Sequence, residues 1–212
     1  MGVLVKDKPK PLIKIGKTTL LDHALGLTNQ AGIENVVVNA HYLSDKIVGH
    51  LTPNASIRVI VEKPDILETG GGLLNALPCL GTDPVYTLNA DNYWFGQNPL
   101  LMLEQFWNPE KMDALLMLGP KKNTYGFQGK GDFVMDSTGN LTRRPNESTG
   151  LVYLGAQIIK PSTIGSEFGK VFSLNLVWDK LIHNKKIKGL IYDGKWAVID
   201  TPYGIETIRK IL

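Results

Sequence analysis

Short apolar runs alternate with segments of helical spacing along most of the chain, and this alternation constrains the fold more than any other feature. Leu20, Leu21, Ala24 and Leu27 recur at helical intervals within residues 19–31, and Gly32 follows as a helix stop. Val36, Val37 and Val38 then form a continuous apolar run, the pattern of a strand covered on both faces. Ser44 has the side chain of an N-cap for a helix through Leu51. Residues 57–61 read as a strand, 72–80 as a helix, and 85–89 as a strand ending in Ala90-Asp91. Further on, 99–107 is helical and 114–118 is a buried strand. Residues 132–135 and 141–143 flank Asp136-Ser137-Thr138-Gly139, a hairpin turn. A strand over 151–159, a helix over 174–184, β-rich stretches at 189–192 and 196–199 and a helix over 203–212 complete the order. With no repeat and no linker, residues 1–212 read as one α/β domain, Rossmann-like and three-layered around a mostly parallel, mixed sheet. Ligands of such sheets bind beyond the carboxyl ends of the strands, which directs attention to Asn89-Ala90-Asp91.

The 212 residues, 43% of them hydrophobic, can bury one sizeable core. The net charge of +3 is mild, and only Lys6, Lys8, Lys10, Lys14 and Lys17 form a dense basic stretch. A nucleic-acid reader needs a stronger basic footprint than that. The single cysteine, Cys79, cannot pair within the chain and sits in an apolar run, as a small buried filler would. No stretch is apolar for long enough to span a bilayer, and residues 1–10 lack a signal-peptide core. The expected compartment is the cytoplasm.

Three segments could carry chemistry. Asp91, at the polar end of an apolar strand, can hold Mg²⁺ against a triphosphate, or it can simply cap a turn. Glu68-Thr69-Gly70-Gly71-Gly72 lies between a strand and a helix. Its glycines let the backbone approach a base or phosphate with N–H donors exposed, or they make a flexible loop. Lys8-Pro9-Lys10-Pro11 is a stiff, extended segment whose ammonium suits a phosphate; otherwise it is a solvated tail. Tyr93 and Trp94 either stack on a ligand or pack. His23, His41, His50 and His183 are dispersed without zinc-like spacing; His23 and His41 could approach the cleft, but core or surface roles are expected of them.

Together these segments resemble a family. Lys8-Pro9-Lys10-Pro11-Leu12-Ile13-Lys14-Ile15 looks like its P-K-P-L-x-P-V, and residues 20–23 look like L-I-D-H. Glu68-Thr69-Gly70-Gly71-Gly72 matches E-T-G-G-G, Asn89-Ala90-Asp91 resembles N-G-D, Gly131-Asp132-Phe133 matches G-D-F, and residues 196–202 lie over W-V-D-V-G-T-P. The collinear matches resemble the sugar-1-phosphate nucleotidyltransferases. The closest branch is that of the bacterial N-acetylmuramate-1-phosphate uridylyltransferases and mannose-1-phosphate guanylyltransferase-like proteins.

The resemblance implies a GT-A-like nucleotidyltransferase fold and transfer from a nucleoside triphosphate, UTP in that branch, to a sugar 1-phosphate. It implies that Lys10 neutralises phosphates and Asp91 ligates Mg²⁺. Glu68, Thr69, Gly70, Gly71 and Gly72, with Asn89, would line the nucleotide, and Asp132, Gly155 and Asn175 would face the sugar. Val198 stands where the family has its second metal Asp; Asp200, two residues on, is the substitute candidate, or the cap of a helix near Pro202. The family's opening strand and L-A-A-G-x-G-x-R-M loop have no counterpart ahead of the lysines, since Val3-Leu4-Val5 is too short for both. Two readings therefore stand: an active enzyme, or a truncated or impaired relative that binds nucleotide or sugar phosphate without turnover. A sheet lacking a central strand invites a neighbour's segment, which makes a homodimer one expectation.

Overall fold

The first helix starts where its capping chemistry is complete. In the computed structural model, which describes residues 7–54 and 56–199 together with Gly204, Ile205 and Ile208, α1 (Leu20–Gln30) is preceded by strands β1 (Lys14–Ile15) and β2 (Thr18–Thr19). Thr19 Oγ1 accepts the Asp22 N–H at 3.0 Å, and the Asp22 carboxylate accepts the Thr19 N–H at 3.1 Å. The same carboxylate receives His50 Nε2 at 2.7 Å, so the cap also ties α1 to α2 (Ser44–Leu51). Upstream, the extended conformation expected of the lysine-proline segment reaches only Pro9. Lys10–Leu12 closes a 3-10 turn, with Pro11 early in it, where a missing N–H is no loss.

β3 (Val36–Ala40) and β4 (Ile57–Val61) flank α2 and pair in parallel. Ser44 is not the cap of α2. Leu43 takes that position at φ 51° without a side-chain bond, and Ser44 is buried as the first helical residue. β3 is only half-buried at Val36, Val37 and Val38, not covered on both faces. Among the described residues, neither β3 nor β5 (Val85–Leu88) has a hydrogen-bonded strand on its second edge.

After α3 (Glu68–Leu80) and β5 come β6 (Asn92–Phe95), α4 (Pro99–Phe106), β7 (Ala114–Gly119) and β8 (Thr124–Tyr125). Then follow β9 (Phe133–Met135), β10 (Leu141–Arg143), β11 (Val152–Ile159), α5 (Leu174–His183), β12 (Ile187–Ile191) and β13 (Lys195–Val198). The main sheet has the order β12-β7-β11-β5. Only β11 runs against its neighbours, so the sheet is mixed and mostly parallel, as the alternation implied. β6, β13 and β8 form a smaller sheet, and β9 and β10 the expected hairpin, whose turn is held by Asp136 Oδ1 accepting the Thr138 and Asn140 N–H groups.

Alternation along β7 builds the three layers. Leu116 and Leu118 face a core with Leu73 of α3 and Val177, Trp178 and Leu181 of α5. Leu115 and Met117 face the opposite core, with Leu27 of α1 and Leu100 and Leu103 of α4. The one buried polar side chain in the middle of β11, Gln157, donates to Thr87 Oγ1 at 3.1 Å and accepts Trp178 Nε1–H at 3.0 Å. Cys79 is half-buried rather than fully buried. The helix expected over 203–212 lies outside the described residues except at Gly204, Ile205 and Ile208, which are helical. Among the described residues no helix is long and apolar enough to cross a membrane.

Thr19→Ala removes the cap while leaving the helix interior intact, and is expected to cost ~1 kcal/mol in urea unfolding. No change would show that α1 is held by packing alone.

Candidate active site

The chain leaves β5 at Leu88 and turns through Asn89, Ala90 and Asp91 into β6. Three contacts fix that turn. Asn89 N–H donates to Gly155 O at 2.8 Å, Ile199 N–H donates to Asp91 O at 3.1 Å, and Asn92 Nδ2 donates to Leu154 O at 3.0 Å. The first depends on a bulge in β11, where the register shifts between Tyr153 and Gln157 and Gly155 takes φ +82°. A Cβ at position 155 would lie 2.9 Å from the Asn89 Cβ and would collide with the Asn92 amide. Gly155 is thus the residue that admits the turn. Asn89 is exposed and Asp91 half-buried.

The glycine run is not an open loop ahead of a helix, as expected, but the first turns of α3, which begins at Glu68 with φ 63°. All three glycines are buried. Gly70 and Gly71 N–H both donate to Phe172 O, at 2.9 and 3.0 Å, and Thr69 Oγ1 accepts the Leu174 N–H at 3.0 Å. Gly72 faces the other way: a Cβ there would sit 2.7 Å from Asn39 Nδ2 and 2.9 Å from Glu62 Oε1. The glycines admit the segment before α5 on one side and the ends of β3 and β4 on the other. The expectation of exposed donors at Gly70 and Gly71 is corrected accordingly, because a carbonyl of this chain already takes them. Sequence reasoning passed over Glu62. Its buried carboxylate accepts Asn39 Nδ2 at 3.1 Å and the Leu67 N–H at 2.9 Å, anchoring the connection from β4 to α3. The signal was available, for Glu62 is a polar end to an apolar strand, as Asn89 and Asp91 are.

The remaining candidates separate into supports and surface groups. Lys10 is half-buried in the 3-10 turn that packs on α1. Asp132 Oδ2 accepts the Tyr153 N–H at 2.8 Å, which holds the glycine-rich segment to β11 near Gly155. Asn175 is exposed in the first turn of α5, its Nδ2 on Ser173 Oγ at 3.0 Å, one residue from the Leu174 contact with Thr69. Asp200 lies outside the described residues. Trp94 packs edge-on against Tyr192 and Trp196, so it belongs to the core. Tyr93 stacks on His23 with ring centroids 4.1 Å apart. His23 Nε2 accepts the Trp94 N–H at 3.1 Å, and His41 Nδ1 meets Glu62 O at 2.9 Å.

Comparison with known proteins identifies the family. The profile of the MobA-like NTP transferase domain matches residues 1–117. The chain is 32% identical over 211 residues to the N-acetylmuramate alpha-1-phosphate uridylyltransferase of Caulobacter vibrioides, covering 95% of this chain and 87% of that one. The chain belongs to the MobA-like NTP transferase family. A second relative, the protein of the same name from Neisseria meningitidis, is 27% identical over 208 residues, 95% of this chain and 88% of the other. Among solved structures, HddC from Yersinia pseudotuberculosis complexed with GMP-PN superposes with a TM-score of 0.77 at 18% identity, over 97% of this chain and 90% of that one. The inositol-1-phosphate CTP transferase from T. maritima gives 0.76 at 14%, over 100% and 90%. These two likenesses show the GT-A-like nucleotidyltransferase fold.

Within this family member, the oxygen donors for a cation are sparse. Among the described residues no group of three or more His, Cys, Asp or Glu side chains converges. Val198 pairs with Asn92 across β6 and β13 and is packed in the core with Trp94 and Trp196, so it offers no ligand. A single carboxylate, Asp91, at a strand end still fits Mg²⁺, which commonly takes one or two carboxylates and completes its shell with water and substrate phosphate.

Burial lowers the pKa of His23 below the ordinary imidazole value. A folded-state pKa below the unfolded one gives stability that is complete above the unfolded value, about 6.5, and is lost as pH falls through it. Unfolding midpoints measured from pH 7.5 down to 5 should therefore decline, and His23→Gln should remove that part of the decline. An unchanged slope in the variant would contradict the assignment.

Proposed function

We propose that the chain transfers a nucleotidyl group from a nucleoside triphosphate, UTP by preference, to a sugar 1-phosphate. The observation that carries this is Asp91 on the tethered turn at the carboxyl end of β5, in a chain 32% identical across 95% of its length to a uridylyltransferase acting on such a substrate by name. A phosphate oxygen of the sugar phosphate attacks the α-phosphorus, the bond to the bridging oxygen breaks, and pyrophosphate leaves. No protein nucleophile is required, and the work is positioning and charge neutralisation. In this reading Lys10 faces the phosphates, and Asp91 would hold Mg²⁺, which supplies positive charge where the leaving group gathers negative charge. Glu68, Thr69, Gly70, Gly71 and Gly72 border the base and ribose, with Asn89 at the phosphates. Asp132, Gly155 and Asn175 lie toward the sugar, and Asp200 is the second metal candidate.

A second reading, binding without turnover, is favoured by one observation: Val198 is a core residue at the position where a second metal carboxylate would stand.

Pyrophosphate release should be measured with each nucleoside triphosphate, Mg²⁺, and N-acetylmuramate 1-phosphate or hexose 1-phosphates. Release is expected only with both substrates present, fastest with UTP, and lower by roughly a hundredfold or more in Asp91→Ala. Nucleotide binding by calorimetry without any release would establish the second reading instead.

A further inference from the structure

We propose that His23 is the positioning residue that couples the lysine-bearing segment to Asp91, acting through the backbone of Trp94. The inference rests on the reading of Asp91 given under Proposed function. β6 is an edge strand: β13 pairs with one side of it, and among the described residues no strand lies on the other. An edge strand leaves main-chain donors without ladder partners. The one at Trp94 is taken by His23 Nε2 at 3.1 Å, across 71 residues of sequence. A ring nitrogen that accepts carries no proton, so the imidazole is neutral with its hydrogen on Nδ1. Stacking on Tyr93 at 4.1 Å and an interplanar angle of 11° fixes the ring in that orientation. Burial keeps the neutral form favoured at physiological pH.

The consequence lies in the first turn of α1, which holds both contacts. Its N-terminal residue Leu20 donates its N–H to Ile13 O, and the helix packs on the 3-10 turn that carries Lys10. Later in the same turn, His23 grips β6 three residues after Asp91. Asp91 is held from the β13 side by Ile199 and from the α1 side through His23. The helix therefore sets the distance between a phosphate-facing ammonium and a metal-facing carboxylate. A misplacement of about 1 Å between such groups can cost a hundredfold in rate.

The test uses the full chain with His23→Leu, which removes the acceptor, and His23→Gln, whose amide oxygen can restore it. Nitrogen-15 NMR should show Nε2 of His23 unprotonated at pH 7.5 and the Trp94 amide protected from exchange. In His23→Leu the Trp94 amide should exchange at least tenfold faster, the Ala90 and Asp91 amides should shift, and kcat for pyrophosphate release should fall about tenfold or more with little change in KM for the nucleotide. His23→Gln should recover most of each. A protonated Nε2, an unprotected Trp94 amide, or equal kcat in both variants and the wild type would overturn the proposal. Should His23→Leu fail to fold, the wild-type NMR result and His23→Gln decide. If the wild type releases no pyrophosphate, the reading of Asp91 fails by itself. The tether is then judged on the Trp94, Ala90 and Asp91 amides alone, whose exchange and shifts in His23→Leu do not depend on a bound metal.

Discussion

Gly155 has no side chain, and the candidate site is built on that fact. Only a residue without a Cβ lets β11 bulge against the turn after β5 and place a carbonyl 2.8 Å from the Asn89 amide. β11 is also the antiparallel member of the main sheet, bonded to β5 on one side and β7 on the other. Its position is fixed by the fully buried Ala156, Ile158 and Ile159 and by the Gln157 network with Thr87 and Trp178. A rigid strand thus carries a local kink, and the kink locates Asn89 and Asp91. Stability is invested in the sheet, and reactive groups hang from its edge.

The glycines of α3 obey the same logic of close approach with a different result. Gly70 and Gly71 receive the carbonyl of Phe172, while Gly72 leaves room for Asn39 and Glu62. The start of α3 is consequently joined to α5 and to the ends of β3 and β4. A nucleotide at this edge would meet a pre-formed surface, not a loop that must order on binding, which lowers the entropic cost of association.

The longer strands were legible as apolar runs, and β7 and β11 lie within a residue of the runs at 114–118 and 151–159, whereas the short strands β1, β2 and β8 and the edge strand β6 were not read. α1 was legible because Leu20, Leu21, Ala24 and Leu27 recur at helical spacing, a local signal that the Thr19–Asp22 cap completes. The errors share a cause in long-range contacts. Nothing near Ser44 reveals that Leu43 adopts a left-handed conformation, and nothing near Gly70 reveals that a carbonyl 102 residues away in sequence, Phe172 O, consumes its donor. Trp94 read equally as stacking platform or core residue until Tyr192 and Trp196 were seen around it. Glu62 was passed over, and His23 was named without its partner, for related reasons. One binds a backbone amide beyond the end of its strand, and the other an edge strand 71 residues away. Asn89, Asp91 and Gly155 were each named through the family resemblance, but only the bulge in β11 shows that Gly155 lies against the turn bearing the other two.

The central claim is that nucleotide and metal meet at the carboxyl edge of the sheet, between the turn bearing Asp91 and the start of α3. Paramagnetic broadening of backbone amides by Mn²⁺ in the presence of a non-hydrolysable UTP analogue measures this most directly. The account predicts broadening centred on Asp91 and reaching Asn89 and Gly155, with chemical-shift changes over residues 68–72 and none at the Asp136 turn. Broadening centred elsewhere, or nucleotide-induced shifts that leave residues 68–72 and Asp91 unmoved, would contradict it.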